Sequence, residues 1–257
     1  MGDALFDTIA RWQGDRPWGR MLDAGTGAHS LRWVRGLDTP GWTAVTGDPA
    51  RQRTLHAAVG DALRPGDAIL TGNWSDVAFL ADERFETVLA DYLLGALDGF
   101  APYHQDRLFA RLRMHTRGRL YIIGLEPYPD GVVPGAGADS EAGRCIRELA
   151  RVRDACILLA GHRCYREYPL EWVIRNLEQH GFRVQEATRV PIVYRERFVH
   201  GQMDVCLRKL ACIRDAEFVA SMRQHIESVR ARALDACARL DGLRFGHDYV
   251  VAAEPIA

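Results

Sequence analysis

Asp23, Gly25 and Gly27 close the apolar run Met21-Leu22 and stand directly before a helix-patterned segment that begins at Ala28. A carboxylate followed by two glycines at such a junction suits a nucleoside cofactor. The strand must reverse into a helix while its backbone comes close to a ligand, and side chains would obstruct both. The amides of the turn, including Thr26 and Gly27, and those of the helix start could then meet a ligand carboxylate. A polar residue just beyond an apolar run recurs downstream. It is Asp48 in Thr46-Gly47-Asp48-Pro49, Asn73 in Gly72-Asn73-Trp74-Ser75-Asp76, Asp91 in Ala90-Asp91-Tyr92-Leu93-Leu94, and Glu126 in Gly124-Leu125-Glu126-Pro127-Tyr128-Pro129.

Positioning these tips in one place requires a sheet whose strands end on the same side. Apolar runs predict strands at Arg20–Asp23, Thr43–Thr46, Ala68–Leu70, Thr87–Ala90 and Arg119–Leu125. Between them, helix-type spacing predicts helices over Ala28–Leu37, Pro49–Val59 and Tyr103–His115, with a short turn at Ser75–Leu80. Leu170, Val173, Ile174 and Leu177 give a further helix, which His180-Gly181 stops before a strand at Phe182–Ala187. This alternation is that of an α/β doubly wound sheet, in which ligands bind beyond the carboxyl ends of the strands. Two helices exceed what such a sheet needs, one over about 139–160 and one over about 215–240, the latter striped by Phe218, Met222, Ile226, Val229, Ala233, Cys237 and Leu240. They read either as a cap or as extra core cover. Pro127–Gly137 is the best hinge candidate.

The first turn resembles the leading motif of class I S-adenosylmethionine-dependent methyltransferases: an acidic residue, any residue, Gly, any residue, Gly. Here it is Asp23-Ala24-Gly25-Thr26-Gly27, with Asp48, Asn73 and Asp91 closing successive strands in the family's order over roughly the first 125 residues. The resemblance implies a Rossmann-like doubly wound seven-stranded sheet with an antiparallel last strand, here Asp248–Ala253, and S-adenosyl-L-methionine as cofactor. It implies that Asp23, Gly25, Thr26 and Gly27 bind the cofactor, the turn amides meeting its methionine carboxylate, and that Asp48 accepts both ribose hydroxyls. A helix N-cap is the other reading of Asp48. Asn73 would bond the adenine amino group, with Asp76 as the alternative, and Trp74 would lie against the adenine face. Asp91 and Tyr92 fall where cofactor and acceptor meet. His29 stands where a third glycine is common, either touching the cofactor carboxylate or solvated, and this departure also weakens a dinucleotide oxidoreductase reading. The Asn-Pro-Pro-Tyr signature of enzymes that methylate adenine or glutamine nitrogens is absent.

The chain has 257 residues, 47% of them hydrophobic, with 33 basic and 34 acidic residues and a net charge of −1. That size suits a single domain over 1–257 with helical insertions at about 139–165 and 213–241. The even charge lacks a nucleic-acid footprint, so a small-molecule partner is expected. No run of about 18 uncharged apolar residues occurs, so a cytoplasmic protein without membrane contact is expected. The 215–240 stripe covers the chain's own sheet edge or joins a second copy in a homodimer. Six cysteines include no C-x-x-C pair, and Cys145 and Cys156 fit a helical core stripe with Leu149, Val152 and Leu159. No metal is expected, although His162-Arg163-Cys164 leaves a metal or thiol nucleophile open.

The function these readings converge on is in-line methyl transfer to a small amine, amino acid or related metabolite. Tyr92, Tyr128, Tyr165 and Tyr168 would offer ring faces to a cationic or planar acceptor, with Glu126 or Glu167 as counter-charge. A base is needed only for an acceptor that arrives protonated, and Glu126, Asp91, His162 and Tyr165 are its candidates. Phe198, His200, Gln202 and Asp204 read as a solvated loop patch. The competing readings are a catalytically silent cofactor-binding regulatory or scaffold subunit and, more remotely, an aminopropyltransferase.

Overall fold

Strand-forming apolar runs and amphipathic helices alternate along the computed structural model, which describes residues 4–128 and 140–256. The strands are β1 (Met21–Asp23), β2 (Trp42–Thr46), β3 (Ala68–Thr71), β4 (Phe85–Asp91), β5 (Thr116–Leu125), β6 (Phe182–Tyr194) and β7 (Leu243–Pro255). The helices are α1 (Ala4–Gln13), α2 (Ala28–Arg35), α3 (Pro49–Val59), α4 (Leu93–Ala96), α5 (Gln105–His115), α6 (Glu141–Leu159), α7 (Leu170–Gln179), α8 (Glu196–Leu210) and α9 (Ala216–Arg239).

All seven strands join one sheet in the order β3-β2-β1-β4-β5-β7-β6. The pairs β1/β2, β2/β3, β1/β4 and β4/β5 are parallel, while β7 runs antiparallel to β5, with Ile122 opposite Val251. The seven-stranded doubly wound sheet with its antiparallel last strand is therefore present. Strand order reverses between β1 and β4, and at that switch point the crossovers lie on opposite sides and leave a crevice beyond the strand ends. Central strands read as unbroken apolar runs because both faces are covered: Met21, Leu22, Val88, Leu89 and Ile122 are all buried.

The chain divides into two compact units. The first comprises Met1–Glu126, Tyr165–Val190 and Asp248–Ala257. One face of its sheet packs Leu108, Phe109 and Leu112 of α5 with Val173 and Leu177 of α7, and the other packs Phe6 of α1 with Leu31 and Val34 of α2. The second unit comprises Pro127–Cys164 and Pro191–His247. There α6, α8 and α9 pack on one another around Ile146, Leu149, Met203, Ile226 and Val229. Both long inserted helices belong to this unit. Cys156, Cys206 and Cys237 are buried in it as free thiols, and burial pushes Cys206 up to about 12.

Three helices lie outside the sequence expectations. α1 and α4 were not predicted, and α8 replaces the solvated loop expected around Phe198, His200, Gln202 and Asp204. The α8 signal is present as Val199, Met203, Cys206 and Leu210, all buried on one stripe. β6 and β7 also exceed their predicted spans, Phe182–Ala187 and Asp248–Ala253. Most of the expected hinge, Pro127–Gly137, lies outside the described residues.

Candidate functional site

The ends of β1 to β4 and the loops that follow them enclose a cavity of about 290 Å³, lined by Gly25, Thr26, Gly27, Asp48, Asn73, Trp74, Asp91, Tyr92 and Tyr165 among others. Every lining residue belongs to the first unit. The turn after β1 is pinned from both sides: the Ala24 N–H donates to Leu89 O of β4 at 2.8 Å, and the Thr26 N–H to Val45 O of β2 at 2.7 Å. Neither glycine of the motif has a positive φ. A Cβ at Gly25 would meet Leu93 Cδ1 at 2.9 Å, so this glycine lets the turn lie against α4. A Cβ at Gly27 would meet nothing within 4 Å, because this residue borders open space. Gly27 is the N-cap of α2, and its N–H donates to Ser30 Oγ at 3.0 Å.

Asp23 does not line this cavity. It is fully buried under the turn, 0% exposed, and neither carboxylate oxygen has a hydrogen-bond partner. Burial raises its pKa from 3.8 to about 6, against smaller opposing influences from the Thr26 and Ser30 side chains and the Gly25 amide. The expectation of direct cofactor contact is corrected accordingly: a three-residue strand buried on both sides carries its last side chain inward.

The N-cap reading of Asp48 is the one the structure shows. Its Oδ1 accepts from the Ala50 N–H at 2.8 Å as the N-cap of α3, and Oδ2 carries no hydrogen bond on the exposed rim of the cavity. Arg51, in the first turn of α3, also lines the cavity. Asn73 is engaged at both ends of its amide. Nδ2 donates to Phe100 O at 2.9 Å, and Oδ1 accepts from Ser75 N at 3.0 Å and Ser75 Oγ at 2.8 Å. Asp76 lies off the cavity and caps its own turn through Ala78 N at 2.9 Å. Trp74 is only 3% exposed, and its Nε1 donates to Ala24 O at 2.7 Å. Its ring meets Phe79 and His115 edge-on, each 5.6 Å between centroids. The indole therefore braces the first turn from beneath while forming part of the cavity wall.

At the β4 end, Tyr92 sits in the left-handed region at φ 47°, ψ 20° and starts α4. A side chain there costs about 1 kcal/mol or more, a strain that recurs where a site fixes a residue's direction. Asp91, Tyr92, Leu93 and Ala96 line the cavity, and Tyr165, 59% exposed, lines its mouth. Glu126 does not. Its Oε1 accepts from Arg189 Nε at 2.8 Å and from the Leu170 N–H at the start of α7 at 3.3 Å. As an ion-pair and helix-cap residue it is removed from the base candidates. β5 is one strand away from the switch point, so its end faces β7 and α7.

The remaining candidates are dispersed. His29 is exposed and rests on Phe6, 5.2 Å between centroids. Tyr168 packs on Trp172 at 4.2 Å, and the Tyr128 hydroxyl hydrogen-bonds that of Tyr194 in the second unit. Cys164 Sγ donates to Asp154 O at 3.6 Å. Among the described residues no cluster of three or more His, Cys, Asp or Glu could hold a metal ion, and no helix is long and apolar enough to cross a membrane. Sequence reading missed Arg51 and Phe100 on the cavity wall. Arg51 follows the Asp48 cap by three residues, which is a usable signal, whereas nothing local places Phe100 there.

No protein-family model matches the chain, and neither does any curated protein. Solved structures do match over nearly the whole chain. A putative methyltransferase, BH2331, from Bacillus halodurans C-125 superposes with a TM-score of 0.61 at 13% identity, covering 100% of both chains. YcgJ from Bacillus subtilis gives 0.57 at 12% identity over 97% of each chain. The mycolic acid cyclopropane synthase CmaA1, complexed with SAH and CTAB, gives 0.54 at 14% identity over 96% of this chain and 83% of that one.

Proposed function

Starting from a chain that has the fold of S-adenosylmethionine-dependent methyltransferases, we propose that it binds S-adenosylmethionine beyond β1 to β4 and methylates a small-molecule acceptor. An amine, an amino acid or a related metabolite is the acceptor class. The observation that carries this reading is the convergence of four strand ends on one cavity, with open space over Gly27 and the exposed Asp48 at its rim.

The residues present fit that cofactor. Turn amides at the start of α2 suit its carboxylate, and the vacant side-chain position of Gly27 leaves room for it. Asp48 Oδ2 suits ribose hydroxyls, since Oδ1 alone serves the cap. Asp23 lies buried beneath the first turn and off the cavity, so it supports the turn and does not touch the cofactor. When bound, the cofactor supplies an electrophilic methyl group on a sulfonium.

What remains for the protein is alignment and exclusion of water, because an in-line displacement needs the acceptor's lone pair close and directed. Tyr92, held by its strained backbone, and Leu93 form the wall where the acceptor would lie, with Tyr165 at the mouth. Asp91 lines that wall with Tyr92 and Tyr165, and as the carboxylate among them it would take the proton of an acceptor that arrives charged.

Calorimetric titration with S-adenosylmethionine and with NAD tests the binding half: the first should bind in the micromolar range and the second should not. Incubation with cofactor and a metabolite extract tests the chemical half, a product heavier by one methylene unit being expected. Binding without any product across broad extracts would instead identify a silent cofactor-binding subunit.

A further inference from the structure

Resting on the methyltransferase reading, we infer that Phe100 is the residue that contacts the adenine ring, and that Asn73 acts on the cofactor only through Phe100, by latching its backbone. Asn73 has no acceptor capacity left for an adenine amino group. A carbonyl oxygen offers two lone pairs, and Asn73 Oδ1 already receives the Ser75 N–H at 3.0 Å and the Ser75 hydroxyl at 2.8 Å. The amide orientation is fixed, because Ser75 N–H must face the oxygen and the Phe100 carbonyl must face Nδ2, 2.9 Å away. The bond joins the end of β3 to the loop that follows α4, elements on the two sides of the cavity.

Phe100 is built as a surface for a planar ring. Its neighbours Leu97 and Ala101 are buried, and both the Phe100 and Ala101 amides bond back to Leu97 O, at 3.0 and 2.7 Å, so the turn that presents it is tight. Phe100 is 44% exposed and lines the cavity wall. It lies directly on Gly47, where a Cβ would be 2.6 Å from Phe100 Cδ1, so the glycine before Asp48 makes room for it. An aromatic ring beside the carboxylate assigned to the ribose is placed to stack on the attached base. Stacking reads the face of a purine and tolerates changes on its edge.

The test is a comparison of dissociation constants for S-adenosylhomocysteine and its 6-oxo, inosyl analogue, with thermal unfolding of every variant as control. Wild-type protein should bind both within roughly threefold of each other, since a stacked face is indifferent to the exocyclic group. Phe100→Ala should weaken both by ~10-fold or more, and Phe100→Tyr should restore what Ala loses. Asn73→Asp is the discriminating change. A carboxylate would accept from adenine better than an amide does, yet it has no N–H for the Phe100 carbonyl. It should therefore weaken both ligands equally and add nothing in the Phe100→Ala background. Tighter binding of the adenosyl ligand alone in Asn73→Asp, or wild-type affinity in Phe100→Ala, overturns the inference and leaves the methyltransferase reading standing. Wild-type protein that binds neither ligand overturns both. The wild-type comparison and the Phe100→Tyr rescue stand even where an Asn73 variant does not fold.

Discussion

Single residues of the first turn carry opposite demands of stability and binding, and they can be separated by substitution. Gly27→Val places a branched side chain at an ordinary extended backbone, φ −121° and ψ 177°, with nothing within 4 Å of its Cβ. The expected outcome is loss of S-adenosylmethionine binding by calorimetry with an unfolding midpoint close to wild type; retained affinity would show that Gly27 does not border the cofactor. Asp48→Ser keeps a side-chain oxygen for the Ala50 N–H but offers no carboxylate to ribose, so affinity should fall while stability holds. Asp48→Ala should also lose about 1 kcal/mol with the cap. Asp23 introduces a pH dependence. Its folded pKa of about 6 exceeds the ordinary 3.8, so the folded state holds a proton that the unfolded chain releases in between. Stability without ligand should be greatest below pH 4, decline as pH rises towards 6, and then level off about 3 kcal/mol lower. Asp23→Asn should abolish that decline in denaturant titrations across this range and stabilise the ligand-free protein at neutral pH. Of these residues, Gly27 and Asp48 were legible in sequence because a strand end is a place of known use. The inward burial of Asp23 was not, since it depends on what covers a three-residue strand.

Elements, rather than residues, account for the misreading of Glu126. It directly follows β5 as Asp91 closes β4, and by sequence the two are equivalent. In the sheet β4 borders the switch point while β5 borders β7, so Glu126 meets Arg189 of β6 and the first turn of α7, and Arg189 also pairs with Glu171. Glu126→Gln should then leave kcat and its pH profile within about twofold of wild type while costing about 1 kcal/mol in unfolding. A collapse of kcat would return Glu126 to the chemistry. Most elements were readable because their apolar periods are clean. Where they were not, a local signal pointed the wrong way. β6 runs on through Pro191, which an edge strand tolerates. Gly246, at φ 73°, likewise interrupts the alternation of β7. In α8 the polar His200, Gln202 and Asp204 interrupt the first turns of the buried stripe Val199, Met203, Cys206 and Leu210, which masks its helical period. Phe100 reached the cavity wall through the path of the chain after α4, which no periodicity encodes.

At the level of the whole molecule, the cavity belongs to one of two units that each have their own core. Ligand that binds only the folded state stabilises it by mass action, ~2.7 kcal/mol at a concentration one hundred times the dissociation constant. Saturating S-adenosylhomocysteine should therefore raise the unfolding midpoint, and hydrogen exchange should slow at the amides of Gly25 to Ser30; an unchanged midpoint at saturation would be inconsistent with a site preformed in the folded chain. The position of β7 also sets a timetable for biosynthesis. As a ribosome extends the chain, β1 to β5 can pair in turn, but β6 emerges with no neighbour, because its place in the sheet lies beyond a strand translated some fifty residues later. Until β7 arrives to bridge them, nascent β6 and the free edge of β5 are both exposed to adventitious pairing, so chaperone demand should peak between the emergence of β6 and that of β7.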